Sequence, residues 1–266
     1  MVWSLFKHNV KSTLMIWGIM TAVFVMYFAI ILSMYDPEYL QSLEELLAMF
    51  PEAMIKAMNF DDFGTTLFSF MTGYMYGFLV FLFPLVVVIV VNHRLVASHV
   101  DSGSMAFLLA SPNSRSKIIV TQIVFSIFAN IMFFIVYTLL GLIICESMFP
   151  GEMDIPNFIM LNVYAIILYV ALGGIGFFFS TLANDKSLSL GFGVGIPVAF
   201  LIFQMLADAD ESLVVFKYFS LFSLFDPKQV ETNVSYVLWT SAVLLAIGLA
   251  FYAISLVVFN KKNLYV

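Results

Sequence analysis

The sequence predicts an all-α, polytopic membrane protein with six transmembrane helices, and three observations carry the prediction. The first is composition: of 266 residues, 62% are apolar and only 11% charged, against roughly 25% charged in a soluble domain. The second is segregation. Six uncharged apolar runs hold 146 residues, and all 28 Asp, Glu, Lys and Arg lie in the other 120. The third is length, because every run meets the roughly 20 residues a helix needs to cross the hydrocarbon. The runs are Leu14–Met34, Leu67–Val91, Ile118–Cys145, Phe158–Ala183, Leu188–Ala207 and Val234–Phe259. A soluble enzyme is excluded, and residues 1–266 read as a single transmembrane domain.

The basic residues predict the orientation. If the N-terminus is cytoplasmic and the spans alternate, the inner segments hold Lys7, Lys11, Arg94, Arg115, Lys117, Lys186, Lys261 and Lys262. The outer segments then hold only Lys56, Lys217 and Lys228. That bias follows the positive-inside rule and puts both termini in the cytoplasm. Fifteen of the 17 acids fall outside, Asp101 and Asp185 being the two inner ones. Lys7, Lys11, Arg94, Arg115 and Lys117 are the expected interfacial anchors. The first run is too long for a signal-peptide core and no small-residue cleavage site follows it, so it is expected to be retained. The single Cys145 has no internal partner for a disulfide.

Ahead of the first span, Val2–Lys11 sets Trp3, Phe6 and Val10 at helical spacing beside two lysines. This predicts a short amphipathic helix on the inner membrane surface. The first outer loop, Tyr35–Thr66, opens with Asp36-Pro37 and predicts two interfacial half-helices broken at Pro51. Leu43, Leu46, Leu47 and Phe50 mark one, Met54, Ile55 and Met58 the other. In the loop Asp208–Asn233 the apolar stretch Leu213–Phe225, interrupted by Lys217, is too short to cross. A re-entrant or surface helix pair is expected there. Pro84 and Pro197 predict kinks. Gly173-Gly174-x-Gly176 and Gly191-x-Gly193-x-Gly195 predict close helix packing, and no internal repeat is visible.

Several chemistries are missing. No G-x-x-x-x-G-K-[ST] occurs, so the chain has no P-loop of its own. No Asp, Glu, Lys, Arg or His lies within a run, and ion-coupled carriers usually need such groups at mid-membrane. Glu44-Glu45 lies in an outer loop without partnering histidines. His8, His93 and His99 all fall on the inner side, and the spacing of the last two does not put them on one helix face, so no metal site is expected. The polar groups left in the spans are Gln122, Asn130, Asn162 and Gln204. Asn130, Asn162 and Gln204 are candidate pathway or helix-contact groups, and helix–helix hydrogen bonding is the ordinary role of all four.

The most informative segment is Asn92–Lys117, at 26 residues the longest inner loop. It opens polar through His99, Asp101, Ser102, Gly103 and Ser104, turns apolar over Met105–Ala110, and breaks at Ser111-Pro112. Gly103 suits a tight turn into a short helix, and Ser102 or Ser104 suits its cap. Phe107, Leu108 and Leu109 would divide an apolar face between a cytoplasmic partner and the bundle.

In these residues the chain resembles ABC-2-type exporter permeases. Asp101, Gly103-Ser104, Leu108-Leu109, Ser111-Pro112 and Arg115 match the family signature, and His99 stands where the family usually has Glu. The resemblance extends to Pro51–Lys56, to Phe-Ser-Thr-Leu with Asn184-Asp-Lys after the fourth span, to Phe225-Asp-Pro-Lys and to the Lys-Lys-Asn-Leu ending. It implies a half-transporter in a bacterial plasma membrane. A second permease, an identical copy or a paralogue, would complete the path. Separate cytoplasmic ATPase subunits would bind ATP and Mg, and this chain would bind no cofactor and no nucleic acid. The loop from His99 to Ser111 would be the coupling helix in the ATPase cleft. A lining of Phe, Met and Tyr would suit a peptide, a drug or a lipid. The rival reading is a membrane immunity or sensor protein that holds a toxic or cationic peptide without transporting it.

Overall fold

The computed structural model describes residues 1–35, 49–58, 66–183 and 185–262, and all regular structure among them is helical. Among the described residues six helices are long and apolar enough to cross a membrane. They are the first span Trp3–Leu32, the second Leu67–Leu95, the third Arg115–Met148, the fourth Ile155–Leu182, the fifth Lys186–Ala209 and the sixth Val234–Lys261. Their ends are written in the sequence. Thr66, Ser114, Asp154, Asp185 and Asn233 stand just outside the apolar runs. Each side chain accepts a hydrogen bond from the backbone N–H three residues on, satisfying one of the donors that a helix start leaves open.

The fourth span is the axis, touching the second, third, fifth and sixth. Its closest crossing is with the sixth. A Cβ on Gly174 would lie 2.5 Å from the Gly248 carbonyl oxygen, and one on Gly248 would lie 2.9 Å from that of Val170. Glycine is therefore required on both sides of the contact. The other glycine set behaves differently. A Cβ at Gly191, Gly193 or Gly195 would meet nothing within 4 Å, so the close packing expected there does not occur among the described residues.

The first span closes on the third and second through aromatic rings. Phe24 stacks on Tyr137 at 4.3 Å between centroids, and Phe28 meets the same tyrosine edge-on at 5.4 Å. The expected amphipathic segment is not a separate element. Trp3–Leu32 is one uninterrupted 30-residue helix, because no proline or glycine precedes Gly18 to break it.

The second span contains a π-helical turn, Met75–Leu79, and continues helically through Pro84. Proline lacks the N–H that would bond the carbonyl four residues back. That carbonyl belongs to Val80, and the Tyr169 hydroxyl of the fourth span donates to it and to the Phe81 carbonyl at 2.9 Å.

Of the two expected half-helices, Glu52–Ala57 is present and begins directly after Pro51. The other, with Leu43, Leu46, Leu47, Glu44 and Glu45, lies outside the described residues, as do Asp36-Pro37, Asn184 and the final Asn263-Leu264. After the fifth span the chain turns at Asp210 and runs back as a 3-10 helix, Glu211–Phe219. Ser220 then donates to the Phe200 carbonyl at 2.7 Å, nine residues before the end of the fifth span, or about 13 Å back along its axis. Phe222 is fully buried against Phe81 at 4.6 Å, and Phe225 packs on Tyr164 at 4.6 Å. The segment thus re-enters the helix bundle.

At the basic end, Lys262 donates to the carbonyls of Thr181, Leu182 and Ala183 at 3.0, 2.9 and 2.6 Å. It thereby caps the fourth span from the end of the sixth. Partial burial pulls its pKa below the ordinary lysine value. Lys262→Met should lower the stability of the purified protein by about 1–2 kcal/mol, read as a melting temperature reduced by a few degrees. Lys262→Arg should recover most of the loss, and an unchanged transition for the methionine variant would show that the cap contributes nothing.

Candidate functional site

The segment joining the second and third spans folds as two short helices, Ala97–Asp101 and Ser104–Ala110. Gly103 between them has φ of 70°, a left-handed conformation that glycine adopts without a Cβ clash. The expected serine cap is absent, since no side chain caps the second helix. Ser102 and Ser104 instead lace the two helices together. Ser102 donates to the Ser98 carbonyl at 2.8 Å and lies 2.8 Å from the Ser104 hydroxyl. The Ser104 hydroxyl in turn lies 2.8 Å from His99 Nδ1. Ser111 closes the far end by donating to the Leu108 carbonyl at 2.6 Å.

The apolar face of Ser104–Ala110 is divided. Met105 is buried, Leu108 and Leu109 are half-buried against the core, and Phe107 is 81% exposed. Such an exposed aromatic ring, on a helix whose methionine and leucines face inward, has no ring partner among the described residues. Beside it lies an open groove of about 410 Å³, walled by Ser4, Leu5 and His8 of the first helix and by His99, Ser104 and Leu108. Burial, and secondarily the nearby His8, holds the His99 pKa below the ordinary imidazole value. The fold therefore favours neutral His99, and its stability falls as pH drops from the ordinary value towards the depressed one. Asp101 is exposed at the turn.

A buried polar network connects this segment to four spans. Asn92 Nδ2 donates to the Gly173 carbonyl at 2.9 Å, and Ser126 donates to Asn92 Oδ1 at 2.6 Å. The hydroxyls of Ser126 and Tyr252 are 2.9 Å apart. Ser180 donates to the Asn92 carbonyl at 2.8 Å and accepts from the Ala97 N–H at 3.2 Å. The first residue of the segment is thus bonded directly into the bundle core, where polar groups are costly to leave unpaired.

The other candidate residues divide by what they touch. Asn130 donates to the Tyr169 carbonyl at 3.3 Å and Asn162 accepts from the Tyr76 hydroxyl at 2.9 Å, so both are helix–helix contacts. Gln122 accepts from Asn9 of the first helix. Gln204 donates its amide to Asp208 of the same helix, one turn away, at 2.7 Å. Among the anchors, Arg94 donates to the Ser12 carbonyl at 2.8 Å and Arg115 to the Lys262 carbonyl at 3.2 Å. Both fasten neighbouring helices. Lys7, Lys11 and Lys117 are exposed, with Lys7 lying 5.5 Å over the Trp3 ring. His93 is 3.2 Å from the Ser189 hydroxyl, and no three His, Cys, Asp or Glu converge among the described residues. Sequence reasoning missed Asn92, which ends an apolar run as any loop asparagine would, and Lys262, whose acceptors lie 79 to 81 residues away.

The geometry gives an exposed aromatic ring on a short helix, a groove beside it, and a direct hydrogen-bonded route into the bundle. A model of the ABC-2 family transporter proteins matches residues 6–264, nearly the whole chain. No curated protein and no solved structure matches it.

Proposed function

The chain belongs to the ABC-2 family of transporter proteins, and from that membership we propose that it is one half of an ATP-driven exporter in a bacterial plasma membrane. A multi-pass transport subunit of this family is not itself catalytic. ATP and Mg are bound by a separate cytoplasmic ATPase, and a second permease, identical or paralogous, completes the path. Both termini face the cytoplasm, and the acidic loops face outward, where they would suit a cationic amphipathic peptide, drug or lipid.

The observation that carries this reading is Phe107. It is the exposed apolar end of a helix whose other side is anchored in the core. A push on that ring passes through Ala97 and Asn92 into the second, third, fourth and sixth spans. Along the second span it reaches Phe81, which packs on the re-entrant Phe222. Nucleotide-driven closure of the ATPase would select one of two packings of the bundle, and cargo would move according to its differential affinity for them.

Tagged chain purified from its native host should bring down a P-loop ATPase that has no membrane spans, in near-equal amount. Recovery of the stable, cargo-bound chain without any ATPase would favour the accessory-protein reading instead. Cysteines introduced into Glu52–Ala57 and Glu211–Lys217 should react with an impermeant reagent added to intact cells. Protection of both segments would invert the orientation.

A further inference from the structure

A second groove opens on the outer surface of the bundle, between the first and third spans. It has a volume of about 190 Å³ and is lined chiefly by Val10, Leu14, Trp17, Phe125, Phe128 and Met132. Its few polar groups are already used: the Trp17 indole donates to the Ala129 carbonyl at 3.3 Å, and Thr13 donates to the Asn9 carbonyl. Nothing remains for a polar ligand to bond. The rings of Phe125 and Phe128, each within 5.3 Å of Phe6, form its wall on the side of the chain's start.

Trp3, Lys7, Lys11 and Leu14 follow one another at spacings of four, four and three residues. They form one stripe that leads from the chain's start to the groove mouth. Both lysines are exposed. Neither wall supplies a carboxylate there, since the sequence has no Asp or Glu from residue 1 to 35 or from 102 to 145. A dry apolar slot with cations at one end matches an acyl chain joined to a phosphate. A second copy of the chain fits poorly, because a two-fold contact on this face would bring four lysines together without a counter-charge.

We propose that the groove between the first and third spans is a binding site for an anionic phospholipid, with one acyl chain in the groove and its phosphate on Lys7 and Lys11. The site rests on the chain spanning a membrane and not on transport, so its failure would leave the exporter reading standing.

The test uses Trp3 and Trp17 as reporters in full-length protein carrying Trp239→Phe, reconstituted into vesicles. Acyl-brominated phosphatidylglycerol or phosphatidylcholine is titrated against the unbrominated zwitterionic lipid, and tryptophan quenching is recorded. Half-maximal quenching should need about thirtyfold less phosphatidylglycerol than phosphatidylcholine, as two lysines beside a headgroup of net negative charge imply. Lys7→Gln with Lys11→Gln should bring the two lipids close to equality without changing the melting temperature, since both side chains are exposed. Equal quenching by both lipids in the unmodified groove would overturn the site, as would a preference that survives the double variant. Efficient disulfide cross-linking between copies through Leu14→Cys, in a Cys145→Ala background, would assign the groove to a second copy.

Discussion

Replacing Gly174 by leucine should prevent the fourth and sixth spans from meeting, and the purified protein should lose its monodisperse size-exclusion peak or melt far below the unmodified chain. The added Cβ would lie 2.5 Å from the Gly248 carbonyl oxygen and 3.1 Å from its Cα. Both are backbone atoms of a long helix, so no rotamer change relieves the clash. Overpacking in a core that can adjust costs about 1–3 kcal/mol, and a rigid backbone contact at the bundle axis should exceed that range. Gly248→Leu should behave alike, because its Cβ meets the Val170 carbonyl and Ala171 Cα at 2.9 and 3.0 Å. The double variant should be less than additive, both changes breaking one crossing. Gly191→Leu supplies the contrast, because nothing lies within 4 Å of its added Cβ, and it should leave the transition nearly unchanged. A Gly174→Leu protein that melts with the unmodified chain would contradict the crossing itself.

Phe107→Asp should have the second largest effect, on assembly rather than on folding. The ring is 81% exposed, so its loss removes little packing from the isolated chain, and insertion, yield and melting should stay normal. An aromatic anchor seated in a partner's pocket is typically worth at least about 2 kcal/mol, which corresponds to roughly thirtyfold weaker association. A carboxylate buried in its place would cost more. Recovery of the ATPase with the permease should therefore fall steeply. Cargo-stimulated hydrolysis and transport should fall with it, and Phe107→Leu should retain part of each. If all three quantities remain at their unmodified levels in the aspartate variant, the ring is not the ATPase contact. If the variant instead fails to fold, the ring packs within the permease.

Much of this architecture was legible in the sequence because the relevant physics is local. Uncharged runs of sufficient length marked the six spans, and Thr, Ser, Asp or Asn residues at the edges of five of them became the helix caps. Gly103 before an apolar hexapeptide marked the turn of the inner segment. What remained hidden depends on which distant elements meet. Gly173-Gly174 and the Gly191, Gly193 and Gly195 series look alike as small residues on apolar helices, yet of these only Gly174 faces another backbone, while Gly173 faces the side chains of Tyr252 and Asn130. The depth of the re-entrant segment is fixed by Ser220 reaching Phe200, and no spacing rule announces that bond. The two serines beside Gly103 fit a cap on propensity alone. The competing neighbours Ser98 and His99 took their hydroxyls instead.

The hydroxyl of Tyr169 on the Val80 and Phe81 carbonyls has a consequence for biogenesis. The second span leaves the ribosome with a carbonyl that Pro84 deprives of its helical partner, and the hydroxyl that satisfies it is encoded 89 residues later. At a synthesis rate of about 5–20 residues per second, that interval lasts roughly 4–18 s. Throughout it, that carbonyl lacks its tertiary donor, a cost that the 25 uncharged residues of Leu67–Val91 outweigh on insertion. The packing that satisfies it is made only once the fourth span arrives, after a complete helix has been synthesised between the two partners.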